Sequence, residues 1–141
     1  MRPSSAASRA AERSRSEPEL VLQTLEIKDT LPGLNEILDQ MNRSRYRYNR
    51  WKHDIQVRIQ WEAKACRLRP VQWARFRFTW RERNRRRDPD NVTAGAKFVL
   101  DALQGRWIPG DGWAQVRSLE HQFEVDTEQP GVTVQMEGPL A

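Results

Sequence analysis

At 141 residues the chain suits one domain with a modest core, and its 24 Lys+Arg against 19 Asp+Glu leave a net charge of +5 carried almost wholly by arginine. Arginine forks onto phosphate and is weakly hydrated, so nucleic acid is the favoured partner and an anionic membrane surface a distant second. A lone Cys66 excludes an internal disulfide and a cysteine-rich zinc site; no apolar run approaches the ~20 residues of a membrane span or forms a signal-peptide core, so a cytoplasmic protein without membrane association is expected.

Residues 1–18, MRPSSAASRAAERSRSEP, carry no aliphatic side chain larger than Ala after Met1 and cannot bury enough to order themselves. They read as a disordered basic arm. A nucleic-acid contact, a targeting peptide weakened by Glu12 and Glu17, and a passive tail all remain open. The folded domain is expected over residues 19–141. Residues 20–28, LVLQTLEIK, predict a strand, and 31-LPG-33 a turn. Leu34, Ile37, Leu38 and Met41 follow helical spacing. An interruption over Asn42–Tyr48 precedes a second helix marked by Trp51, Ile55, Ile59 and Ala63, which ends before Pro70. In 73-WARFRFTW-80, apolar and polar residues alternate as in a half-buried strand. A third helix is expected from about Val92 to Leu103. Two last strands follow, one with Leu119, His121, Phe123 and Val125 on one face, the other with Val132, Val134 and Met136, separated by the turn 126-DTEQPG-131. The pattern is that of a small α+β domain, with a mixed or antiparallel sheet of about four strands and helices packed on one side.

The chemistry concentrates around the third helix. Three arginines close on two aspartates in 84-NRRRDPDN-91, an arrangement that repels itself unless a polyanion and a cation complete it. At ~100° per residue, Asp90, Lys97 and Asp101 fall within about 40° of one line, opposite an apolar line of Val92, Ala96, Val99 and Leu103. A solvated Lys97–Asp101 pair would look the same and needs no function. Asp88 and Asp90, one residue apart around Pro89, can converge on a hard divalent ion such as Mg²⁺, which takes oxygen ligands and completes its shell with water and phosphate. Asp111 sits in 107-WIPGDGW-113, where two glycines free the backbone to approach another element. Three aspartates with a lysine and upstream arginines are the parts of metal-assisted phosphodiester hydrolysis. The plain alternative is two ordinary acidic turns.

The segment 85-RRRDPDNVTAGAKFVLDALQ-104 with 111-DGWAQV-116, and 29-DTLPGLNEIL-38 before them, resembles the RusA-like Holliday junction resolvases, over roughly residues 22–137. The resemblance implies a homodimeric, Mg²⁺-dependent endonuclease, with Mn²⁺ able to substitute, acting on four-way DNA junctions in a bacterial or phage-infected cytoplasm and using no small-molecule cofactor. It implies Asp88, Asp90 and Asp111 as metal carboxylates, Lys97 as the catalytic lysine, and Asn91 and Asp101 in support. Measured from Asp90, Lys97 lies three residues later than the family's usual spacing, which makes 93-TAG-95 an insertion near the helix start. The acidic turn holds Asp111 alone where the family often has adjacent aspartates.

Arg85, Arg86 and Arg87 are expected on the phosphate backbone. A second stretch, 43-RSRYRYNRWK-52, interleaves Arg43, Arg45, Arg47, Arg50 and Lys52 with aromatic residues. It reads either as a DNA-tracking surface with stacking platforms or as a basic loop with Trp51 in the core. His121 alternates with core residues and is expected to be packed rather than catalytic. A non-catalytic domain binding branched or single-stranded DNA, and a nuclease for flaps or plain duplex, are the competing functions.

Overall fold

The computed structural model describes residues 18–141, so the proposed basic arm lies, apart from Pro18, outside the described residues. The elements run β1 (Leu20–Lys28), α1 (Leu34–Met41), α2 (Arg45–Ala65), β2 (Ala74–Glu82), α3 (Pro89–Thr93), α4 (Ala96–Leu103), β3 (Val116–Val125) and β4 (Gly131–Pro139). The strands form one mixed sheet in the order β1-β4-β2-β3, in which β4 is antiparallel to both neighbours and β3 is parallel to β2. The expected α+β architecture is therefore present.

Alternation along the strands builds the core. Leu25 and Ile27 of β1, Phe76, Phe78 and Trp80 of β2, and Val132, Val134 and Met136 of β4 are all buried on one face. Helices cover that face through Ile59 and Ala63 of α2 and through Phe98, Val99, Ala102 and Leu103 of α4. The α2 helix begins earlier than periodicity alone suggests, because the Ser44 hydroxyl accepts the Arg47 N–H at 3.1 Å and caps its first turn. The interruption shrinks to residues 42–44. The expected third helix is split into α3 and α4 at Ala94–Gly95. A Cβ at Gly95 would stand 3.1 Å from Leu31 Cβ and 3.3 Å from the Trp80 ring, so glycine permits the close approach that joins this break to the core.

Two consequences of the topology matter for function. The carboxyl ends of β1, β2 and β3 share one end of the sheet, while the turn before β3 lies at the other. The second concerns β3, an edge strand whose Leu119, Phe123 and Val125 are 46%, 45% and 48% exposed although they pair with residues on the helix-covered face. No described element packs beyond it.

His121, at the middle of β3, is packed as expected. Its ring stacks on Phe78 at 5.3 Å, and its Nδ1 accepts a hydrogen bond from Trp80 Nε1 at 2.9 Å. Burial pushes its pKa below the usual imidazole value. The unfolded chain then binds the proton more readily than the folded one, so this contribution is intact at neutral pH and is lost as pH falls below about 6.5 through the lowered folded value. Melting temperatures measured between pH 8 and 5 should decline on the acid side, and His121→Gln should remove that part of the decline. A wild-type profile flat over this range would contradict the assignment.

Candidate active site

β2 carries the chain to the sheet end where the 84–91 segment begins, and Arg87 fixes the segment there. Its guanidinium forks onto both oxygens of Glu82, at 2.8 and 2.9 Å, and donates to Leu31 O at 3.0 Å and to Glu36 at 3.3 Å. The hydrogen bonds to Glu82, outweighing the cost of burial, raise the Arg87 pKa above its ordinary value. Arg87 thus departs from the expected phosphate contact: four of its five N–H groups tie β2, the 29–33 loop and α1 together. Arg85 and Arg86 remain exposed, with no ion pair among the described residues.

Asn91 supplies a second tie. The Gly33 N-cap of α1 has no side chain to cap with, and the Asn91 Oδ1 accepts the Asn35 N–H at 3.1 Å in its stead. Glu36 reaches back toward the Gly33 N–H at 3.5 Å. A Cβ on Gly33 would meet Asn91 Oδ1 at 2.5 Å and Arg87 Nη1 at 2.9 Å, so only glycine admits both ties. Gly33, Glu36 and Glu82 are site-supporting residues that sequence reading passed over. A glutamate five residues before an arginine was the available signal for Glu82; Gly33 read only as a turn.

On this frame Asp88 is the N-cap residue of α3, with Pro89 in the first turn, and its exposed carboxylate caps nothing and pairs with no cation among the described residues. Asp90 is also exposed; its Oδ1 accepts only the neighbouring Asn91 N–H, at 3.0 Å. Residues 93–95 end α3 and form the break before α4. Beyond it, Lys97 is 69% exposed and lies 3.5 Å from Asp101. Asp101, 15% exposed, also holds Lys52 of α2 at 3.3 Å, so Asp101 anchors two lysines and links α2 to α4. A groove between Asp88 and the end of β3 is lined by Arg85, Pro89, Val92, Phe123 and Val125.

Asp111 is exposed on the turn before β3, at the far end of the sheet. Gly112 O accepts the Val116 N–H at 2.9 Å, which keeps the turn beside the first residue of β3. From Val116 to Phe123, which lines the same groove as Asp88, an extended strand covers about 23 Å. One chain therefore brings Asp88 and Asp90 together but not Asp111. Among the described residues no group of three His, Cys, Asp or Glu side chains could hold a metal ion. Of the tryptophans flanking Asp111, Trp107 is buried and donates to Leu68 O at 3.1 Å, whereas Trp113 is 98% exposed.

The basic stretch forms the first two turns of α2. Arg45, Arg47 and Arg50 are exposed there beside Tyr46, while Arg43 pairs with Asp39 at 3.3 Å just before the helix. Trp51 packs edge-on against Phe98 at 5.5 Å, so the core reading holds for Trp51 and the exposed reading for its neighbours.

No described helix is long and apolar enough to cross a membrane. Among curated proteins no relative matches the chain. The family profile for Endodeoxyribonuclease RusA matches residues 35–137, from the first turn of α1 into β4, and the chain therefore belongs to the RusA endodeoxyribonuclease family.

Proposed function

We propose that this nuclease is a Mg²⁺-dependent resolvase, with Mn²⁺ able to substitute, that cuts four-way DNA junctions by paired symmetric nicks during recombination and repair in a bacterial or phage-infected cytoplasm. The observation that carries the reading is the pair Asp88 and Asp90. Both carboxylates are exposed and unpaired with any cation among the described residues, on a segment that Arg87 and Asn91 lock in place. Mg²⁺ uses one or two protein carboxylates and takes its other oxygens from phosphate and water, so this donor set suits it. When bound, the ion supplies charge stabilisation at phosphorus and activation of the attacking water.

The chain's own side chains do the rest. Arg85 and Arg86 place two forks beside the carboxylates, where each can take a phosphate bidentately. Lys97, steered by Asp101, offers a positive charge against the charge that grows in the transition state. Arg45, Arg47 and Arg50 extend the phosphate track along α2, and the exposed Tyr46 face suits bases unstacked where strands part. A two-fold homodimer gives two equivalent sites, as paired nicks require.

A non-catalytic binding domain is the second reading, favoured by the absence of a three-carboxylate group within one chain among the described residues. Incubating the protein with labelled junction, duplex and single strand, in Mg²⁺, Mn²⁺ or chelator, separates the two. Nicking of the junction with either ion and none with chelator is expected, with binding that weakens steeply as salt rises. Binding without cleavage under any divalent ion would favour the second reading.

A further inference from the structure

Trp113 is the most exposed large apolar side chain among the described residues, at 98%, yet the turn that carries it is tied down. Gly112 O accepts the Gln115 N–H at 3.1 Å and the Val116 N–H at 2.9 Å, Gln115 O accepts the Ala74 N–H at 2.7 Å, and Ala114 O accepts from Arg117 Nε at 3.1 Å. Arg117 is itself held, its guanidinium 3.9 Å from the centre of the Trp73 ring. A fixed backbone therefore presents the indole to solvent. An indole left in water forgoes the stabilisation that burial brings, which points to a surface arriving from outside. We infer that Trp113 stacks on a base left unstacked at the branch point of the DNA, and so sets a preference for a junction over plain duplex. The inference rests on the junction-cutting reading above and adds the residue that recognises the branch.

The surroundings of Trp113 favour a base over a protein. A protein interface buries an anchoring tryptophan within a ring of further contacts, whereas the neighbours along this turn are Gly110, Asp111, Gly112, Ala114 and Gln115, none of them a large apolar side chain. A base brings one flat face and needs one flat face in return. The charge beside the turn suits DNA as well. Arg106 and Arg117, exposed on the chain either side of it, reach tryptophan rings and a carbonyl but no carboxylate among the described residues. In continuous duplex both faces of a base are covered by its neighbours, so Trp113 finds nothing to stack on there. Where strands exchange, base faces open, and unstacking costs least. Arginine contacts to phosphate supply no such discrimination, because they position the backbone and do not read the bases. Trp113 also follows Asp111 by two positions, so a base held there lies close to a carboxylate of the proposed acidic set.

Affinities for a four-way junction and for duplex of the same sequence, measured with chelator so that cleavage plays no part, test the assignment. Trp113→Ala should cut the ratio of junction to duplex affinity at least about tenfold. Trp113→Phe should keep most of the ratio because a phenyl ring still stacks, whereas Trp113→Leu, apolar but not flat, should lose as much as alanine. Trp61, 68% exposed on α2 with Lys64 at 5.9 Å from its ring centre, is the control, and Trp61→Ala should leave the ratio at its wild-type value. Circular dichroism and sedimentation of each Trp113 variant should match wild type. A junction carrying 5-iodouracil at the branch point should photocross-link to the peptide that contains Trp113. A ratio unmoved by Trp113→Ala, a leucine variant as good as phenylalanine, or a branch-point base that cross-links only elsewhere would overturn the inference and leave the junction-cutting reading standing. A Trp113→Ala chain that sediments differently from wild type would assign the indole to a contact between proteins and overturn it as well. A wild type that binds junction no better than duplex would overturn the inference, and with it the junction-cutting reading if nicking is equally indifferent.

Discussion

Asp90→Asn is expected to nick a four-way junction at least about a thousandfold more slowly than wild type, equivalent to about 4 kcal/mol of lost transition-state stabilisation. The replacement keeps the side-chain shape and an oxygen able to accept the Asn91 N–H, the one hydrogen bond that the Asp90 carboxylate makes. What it removes is a negative charge beside Asp88. Circular dichroism and melting temperature should therefore stay at wild-type values, which separates this loss from misfolding. Junction binding should be kept or tightened, because one fewer carboxylate faces the phosphate backbone. Gel-shift and cleavage assays on the same preparation measure both arms, and cleavage undiminished by the change would remove Asp90 from the mechanism.

Arg87→Ala should do the opposite, damaging the frame before the chemistry. Its partner Glu82 is only 13% exposed at the side chain, and Arg87 itself 23%, so truncation strands a half-desolvated carboxylate and frees Leu31 O and Glu36 together. Breaking such a pair costs about 2–4 kcal/mol once discounted for the water that still reaches it. For a domain of this size that lowers the melting temperature by roughly 10 °C. Lysine should not restore it, since a single ammonium cannot span both Glu82 oxygens. Arg86→Ala is the contrast: a melting temperature within about 2 °C of wild type, with weaker junction binding and a shallower salt dependence. Thermal melts of the three variants distinguish an arginine that builds the site from one that contacts DNA.

Those two arginines show where the sequence could be read and where it could not. Local period fixed most elements: the alternation in 73-WARFRFTW-80 became β2, and Leu34, Ile37, Leu38 and Met41 lie on α1. Asp88, Asp90, Asn91 and Lys97 stand out in the sequence because they are compressed into one short segment. Arg85, Arg86 and Arg87 look alike as letters, however, and only contacts with Leu31 and Glu36, more than fifty positions away in the chain, turn one of them inward. The parallel pairing of β2 with β3 is likewise set by strand order, which no local pattern encodes. That pairing is also why Asp111, some twenty positions after Asp90, ends up across the sheet from it. The break at Ala94–Gly95 was hidden for a related reason, since an apolar line on one face persists through it while Gly95 answers to Leu31 and Trp80.

The central claim is that two equivalent acidic sites cut a branched DNA in concert, and the positions of the cuts test it most directly. A synthetic four-way junction labelled in turn on each of its four strands, incubated with the protein and Mg²⁺, should show nicks at symmetry-related positions on two strands of like polarity, and none with chelator. Cuts on a single strand, cuts scattered along duplex arms, or an intact junction under every divalent ion would contradict it.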